Sequence, residues 1–262
     1  MEKTKIDWCD SSWNPVTGCL HSCKYCYARS IANRFSGGGE KWTDDALIEL
    51  NDRIYFDESE KAEAYPYGFK PTLHRYRLNE YEKKSVRNIF VCSMADLFGH
   101  WVPDSWIEEV FSACAKAPQH NYLFLTKNPE RFVDLQNNGK LIAADNMWYG
   151  ASATNEDQLE LAAKAFSKLS FQTKTFLSVE PILEDITVSK YWDYCMDAHL
   201  VDWVIVGAET GHRKDKVVPE RDWIRSITFD CYDESIPVFM KSSLADIWRN
   251  SLVQKFPKEL LR

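Results

Sequence analysis

Six apolar runs separated by polar stretches constrain this 262-residue chain more than any other feature. They read NIFVCSMAD (88–96), NYLFLTK (121–127), NMWYGAS (146–152), TKTFLSVE (173–180), VDWVIVGAE (201–209) and IPVFMKS (236–242). Runs that stay apolar, rather than alternating with polar residues, are what strands covered on both faces require, as in a parallel sheet. Between them lie PDSWIEEVFSACAKA (103–117), NPERFVDLQN (128–137), NEDQLELAAKAFSKL (155–169) and ERDWIRSITFDCYDE (220–234). Several of these open like helices, with Pro103 ahead of Asp104 and Ser105, Asn128 before Pro129, and Asn155 before Glu156. With SWNPVT (12–17) as a first strand, strand and helix alternate along the chain. Right-handed crossovers wind such a series into an α/β fold, a partial (β/α) TIM-like barrel of about six to seven parallel strands. Residues 36–87 read as an insertion after the first helix, with Gly37, Gly38 and Gly39 marking a turn.

At this length, and with 45% hydrophobic residues, the chain can fill one barrel-sized core, so residues 1–262 are expected to form one domain with that insertion. No run reaches the roughly 18 apolar residues of a membrane span, and the start MEKTKIDWCDSSW lacks a secretory signal's apolar core, which predicts a cytoplasmic protein. A net charge of −7 excludes a surface that coats nucleic acid everywhere, though not a local basic site. One such stretch is YPYGFKPTLHRYRLNEYEKKSVR (65–87), where Arg75, Arg77, Lys83 and Lys84 stand among tyrosines. It reads as a stacking and phosphate-binding surface or as a solvated loop whose aromatics pack on the body.

In barrels of this kind the chemistry sits at the C-terminal ends of the strands. Polar residues gather there: Ser93 and Asp96, Thr126 and Lys127, Ser152 and Thr154, Ser178 and Glu180, Glu209, and Lys241 and Ser242. The first strand leads directly into GCLHSCKYCYA (18–28), which holds three of the eight cysteines. Thiolates this close in sequence can converge on one metal centre, whereas Cys92, Cys114, Cys195 and Cys231 stand alone and read as small buried hydrophobes. A structural zinc site taking the three thiolates plus Cys9 or His21 is the competing reading, although no second pair of closely spaced cysteines appears.

Cys19, Cys23 and Cys26 form C-x-x-x-C-x-x-C with Tyr25 just before the third, and here the chain resembles the radical S-adenosylmethionine superfamily. The motifs WNPVTGC, KYCYA, VCSMADLFG, LTKNPERF, SVEPIL and WVIVGAETG are similar to those of phage and bacterial three-cysteine-motif proteins of unestablished function. The resemblance implies a [4Fe-4S] cluster on Cys19, Cys23 and Cys26 as the catalytic and metal-ligating set. Three thiolates leave one iron open to the amino and carboxylate groups of S-adenosylmethionine, and reductive cleavage then yields a 5'-deoxyadenosyl radical. It also implies an electron donor such as a flavodoxin or ferredoxin.

The superfamily's usual glycine-glycine-glutamate signature is replaced by SMADLFG, so Ser93 and Asp96 are assigned to the methionine ammonium. Ser152 or Thr154 would meet the ribose, and Gly207 would let the backbone approach adenine. Glu180, Glu209, Lys127 and Lys241 face either the cofactor and substrate or one another in salt bridges. The expected reaction is hydrogen abstraction from a nucleic acid or nucleotide, in repair or modification. A peptide or metabolite substrate, and a non-catalytic iron–sulfur or zinc protein, are the alternatives.

Overall fold

The computed structural model describes residues 4–36, 46–55, 61–194, 200–211 and 213–261. The elements are β1 (Ser11–Trp13), β2 (Val16–Thr17), α1 (Tyr27–Arg34), β3 (Ile48–Leu50), β4 (Thr72–His74), β5 (Asn88–Val91), α2 (Asp104–Lys116), β6 (Asn121–Thr126), α3 (Glu130–Asn137), β7 (Met147–Ser152), α4 (Glu156–Phe166), β8 (Lys174–Val179), β9 (Trp203–Val206), α5 (Arg221–Asp233) and β10 (Val238–Met240). Seven strands form one sheet in the order β1-β5-β6-β7-β8-β9-β10. Every neighbouring pair in it is parallel. This is the curled half-barrel that the alternating runs require.

Alternation within each strand divides the core in two. On the outer face Val91, Phe124, Tyr149, Leu177 and Val206 pack against Phe111 of α2, Phe132 of α3, Leu159 of α4 and Ile227 of α5. The concave face is lined by Phe90, Leu123, Trp148, Phe176, Trp203, Ile205 and Phe239, and Trp8 and Leu260 join them from outside the sheet. The Trp8 ring lies 4.7 Å from Phe90 and 6.2 Å from both Phe176 and Trp203. Phe256 stands 5.4 Å from Trp203 and 5.0 Å from Phe239. Segments from both ends of the described chain thus fill the half-barrel's hollow. Residues 253–255 also bond to the free edge of β10, through Met240 N to Val253 O at 2.7 Å and Lys255 N to Val238 O at 2.8 Å. That edge would otherwise be a template for non-native pairing.

The first strand expected over 12–17 is two strands in two sheets. Pro15 lacks a ladder donor and keeps Asn14 out of a regular run, so β1 stays in the barrel while β2 turns away. β2 pairs antiparallel with β4, and β4 parallel with β3, in a small sheet built largely from the segment between α1 and β5. The run from residue 88 stops pairing at Val91 because Cys92 adopts φ 58°. Asn155 caps α4 as its position suggested, accepting from Gln158 N at 3.0 Å. The glycine turn at 37–39 and Cys195 lie outside the described residues. Among the described residues no helix is long and apolar enough to cross a membrane.

Candidate functional site

The three-cysteine loop is anchored backbone first. Gly18 sits at φ 84° with its Cα against the Lys70 carbonyl, where an added Cβ would lie 2.1 Å from that oxygen, so no side chain fits. Its N–H donates to Met94 O at 2.9 Å, and Cys19 N donates to Phe69 O at 3.3 Å. Next, Cys26 caps α1, its sulfur accepting from Arg29 N at 3.4 Å, and the Cys19 sulfur accepts from His21 N at the same distance. The Arg29 guanidinium reaches back to the carbonyls of Cys19 and His21 at 3.3 and 3.2 Å and lies 4.8 Å from the Phe69 ring centre.

Side chains then fasten the loop to the strand ends. Tyr27 donates to Ser93 O at 2.8 Å, just beyond β5. Lys127, at the end of β6, donates to the Tyr25 hydroxyl at 2.9 Å. His21 Nε2 bonds to Asp96 Oδ2 at 2.9 Å. Asp96 is only 5% exposed and receives three further donors: Phe98 N at 3.1 Å, Thr126 Oγ1 at 2.7 Å and Lys127 N at 3.0 Å. Both carboxylate oxygens are therefore taken up by the chain itself, and Asp96 acts as the knot joining the ends of β5 and β6 to the loop. Ser93 Oγ donates to Asn14 Oδ1 at 3.2 Å.

Across the mouth, Ser152 and Ser178 are partners on adjacent strands and share the phase of the inward-facing Trp148 and Phe176. Ser178 Oγ is buried and has no hydrogen-bond partner among the described residues. Glu180 and Lys241 form an ion pair across the ends of β8 and β10. Gly207 lies beside that pair, for a Cβ there would come within 3.0 Å of Lys241 Cδ and 3.2 Å of Glu180 Cγ. Cys9 stands on the same side. Burial pushes its thiol up to about 12, against a lowering by Lys241.

Other expected site residues are turned to neighbours. Thr154 is buried and donates to Gln158 Oε1 at 3.0 Å. Glu209 accepts two 2.7 Å hydrogen bonds from Arg213, which hold its carboxyl below the usual range. Arg75 pairs with Glu109 and Glu49, each at 2.8 Å. Arg77 donates to the carbonyls of Asn14 at 3.1 Å and Ala64 at 2.8 Å. Phe69 and Tyr81 of the same stretch are core residues. Sequence reasoning overlooked Arg29 as a support of the loop and Asn14, whose Oδ1 also accepts from Met94 N at 2.9 Å, as a support of the turn after β5. Neither carries a local signal, because the groups they bond are brought near by folding.

Burial pushes the Cys19 thiol up to about 12, and the charges of Asp96, Cys23 and Cys26 act in the same direction. Among the described residues no three His, Cys, Asp or Glu side chains converge as a site for a single metal ion. The donor set on the loop is thiol only, with backbone N–H groups directed at two of the sulfurs, which suits an iron–sulfur cluster held by cysteine. A family described as protein of unknown function (DUF5131) matches residues 3–257. The chain belongs to the DUF5131 family. Among solved structures, this DUF5131 chain is similar to a mutant spore photoproduct lyase with a dinucleoside spore photoproduct. The TM-score is 0.48 and the identity 11%, with 84% of this chain and 60% of that one covered. The chain thus spans 60% of the length of that protein. No curated protein matches it.

Proposed function

We propose that this chain is a radical S-adenosylmethionine enzyme that abstracts hydrogen from a nucleotide-sized substrate, either free or as an exposed nucleotide of a strand. The observation that carries the reading is the attachment of the thiol loop to the ends of β5 and β6 through Tyr25, Tyr27 and His21. This gives Cys19, Cys23 and Cys26 a common border with the inward-facing Ser152, Ser178, Glu180 and Lys241. Cys19, Cys23 and Cys26 would hold the cluster. When bound, the cluster and S-adenosylmethionine together supply a carbon-centred radical able to take hydrogen from an unactivated carbon.

The chain's own residues do the rest. Ser152, half-buried at the end of β7, offers its hydroxyl to a ribose or a methionine carboxylate, with the buried Ser178 hydroxyl beneath it. The apolar floor of Phe176, Trp203 and Ile205 keeps water from below the reacting atoms. Lys127 and Lys241 are cations at the mouth, and a substrate phosphate can share them with Tyr25 and Glu180. Because Arg75 and Arg77 are engaged within the chain, a compact substrate at these lysines is favoured over a long strand laid across residues 65–87.

Anaerobic reconstitution tests the reading. About four irons and four sulfides should bind per chain. Cys19→Ala, Cys23→Ala and Cys26→Ala should each abolish uptake, while Cys114→Ala, in the outer core, should not. S-adenosylmethionine should alter the reduced cluster's electron paramagnetic resonance signal. Stoichiometric zinc with no iron uptake would overturn it.

A further inference from the structure

A cavity of about 330 Å³ lies at the N-terminal ends of the strands, at the end of the half-barrel away from the thiol loop. That volume is at the lower end of the roughly 300–1,000 Å³ typical of small-molecule sites. One wall is made by Trp148, second in β7, Lys174, first in β8, and Asp202 and Pro237, which stand just before β9 and β10. Residues 256–259 make the other wall. This second wall is tied to the sheet: Trp203 Nε1 donates to Lys255 O at 3.0 Å, Asn121 Nδ2 to Glu259 O at 3.1 Å and Asn88 Nδ2 to Leu260 O at 2.9 Å. The cavity is therefore preformed, with no closure needed to build it.

Its polar groups are unevenly satisfied. Asp202 accepts from Thr175 N at 2.7 Å. Glu259 has the Lys174 ammonium at 3.4 Å, and that ammonium also stands 5.1 Å from the Trp148 ring centre. By contrast, the Trp148 indole N–H finds no acceptor among the described residues, although the side chain is only 1% exposed. Lys258 is exposed and forms no ion pair among the described residues. Both carboxylates are thus engaged while two donors are spare, so the lining lacks an acceptor. Phe256, Pro237 and Pro257 add rigid apolar surface beside those donors. We propose that this cavity binds a small organic anion, a carboxylate on a flat apolar body. The carboxylate accepts from the Trp148 N–H and the Lys258 ammonium, and the body lies against Phe256 and the two prolines. Inorganic phosphate is the poorer fit, since it leaves that apolar surface uncovered. The site lies ~13 Å below Ser152 along β7, four residues at ~3.3 Å each, so it is separate from the mouth and independent of the iron–sulfur reading. Because Phe256 and Trp148 belong to the packing of the concave face, occupancy favours the folded half-barrel.

The test titrates the full chain, isotope-labelled at tryptophan, with benzoate, benzyl alcohol and inorganic phosphate. The Trp148 indole N–H signal, assigned with Trp148→Phe, is followed by nuclear magnetic resonance. Benzoate should shift it downfield to saturation, whereas benzyl alcohol, which has the ring without the charge, and phosphate, which has charge without the ring, should not. Lys258→Glu should weaken benzoate binding about fivefold or more. Cys23→Ala, altered at the far end of the strands, should bind benzoate as wild type does. If Trp148→Phe does not fold, the rise in unfolding temperature with benzoate, larger in wild type than in Lys258→Glu, reports the same site. No saturable effect of benzoate, an equal effect of either other probe, or equal affinity in Lys258→Glu overturns the proposal. So does loss of benzoate binding in Cys23→Ala, which would put the ligand at the mouth.

Discussion

Asp96 shows how much of a site can hang on one buried carboxylate. It gathers the Phe98 and Lys127 N–H groups, the Thr126 hydroxyl and the His21 ring, which come from three separate stretches of chain. Removing the acceptor strands two backbone donors in a region closed to water, and each such orphan costs about 1–3 kcal/mol. Asp96→Ala should therefore lower unfolding free energy by ~3 kcal/mol or more in urea titrations and release the loop from the ends of β5 and β6. A loss below about 1 kcal/mol would mean that water replaces the carboxylate. At this scale the sequence was informative about which residues crowd the strand ends and less so about what each one touches. Cys19, Cys23 and Cys26 stand out because their spacing is itself a signal, and the structure adds N–H groups directed at the Cys19 and Cys26 sulfurs. The engagement of Arg75 is not legible, since its acceptors Glu49 and Glu109 lie on β3 and α2 and only the folded insertion brings them together. Gly18 falls between these cases. A glycine just before the first cysteine hints at a turn, but the Lys70 carbonyl that requires it comes from the other end of the insertion.

Among the elements, the long buried strands were the most readable, because a strand covered on both faces leaves an uninterrupted apolar run. β6, β7 and β8 end within two residues of the runs that announced them. The short strands of the insertion left no such trace. β2, β3 and β4 contain two or three residues each, too few for a period to show. Yet this small sheet holds His74, fully buried, with Nε2 on the Thr17 hydroxyl at 2.8 Å and Nδ1 on the Tyr76 hydroxyl at 3.1 Å. Burial, with a lesser push from Arg77, lowers its pKa to about 2. The unfolded chain takes up a proton near pH 6.5 while the folded one does not, so stability is full above that pH and declines as pH falls toward 2. The contribution lost by pH 5 is about 2 kcal/mol. Urea midpoints measured at pH 7 and pH 5 should differ more in wild type than in His74→Gln. Equal pH slopes in the two proteins would show that His74 is not the group responsible.

For the molecule as a whole, the feature that sets stability is the filling of the concave face. The sheet supplies aromatic side chains from five strands, but Trp8 and Phe256 complete the packing from the flanking segments. Trp8→Ala would leave a void against Phe90, Phe176 and Trp203 and should cost about 3–5 kcal/mol, read as a lowered urea midpoint. A cost near 1 kcal/mol would show that the hollow collapses around the smaller side chain. The same feature bears on synthesis. Contacts between residue 8 and strands as late as β9, sealed by residues near 256, are among the most sequence-distant the chain makes, and such contacts form late. The half-barrel cannot close its floor until Phe256 has left the ribosome, so a nascent chain displays its aromatic interior until then. The thiol loop emerges early, but the ends of β8 and β10 across the mouth do not, so the loop waits on strands made long after it.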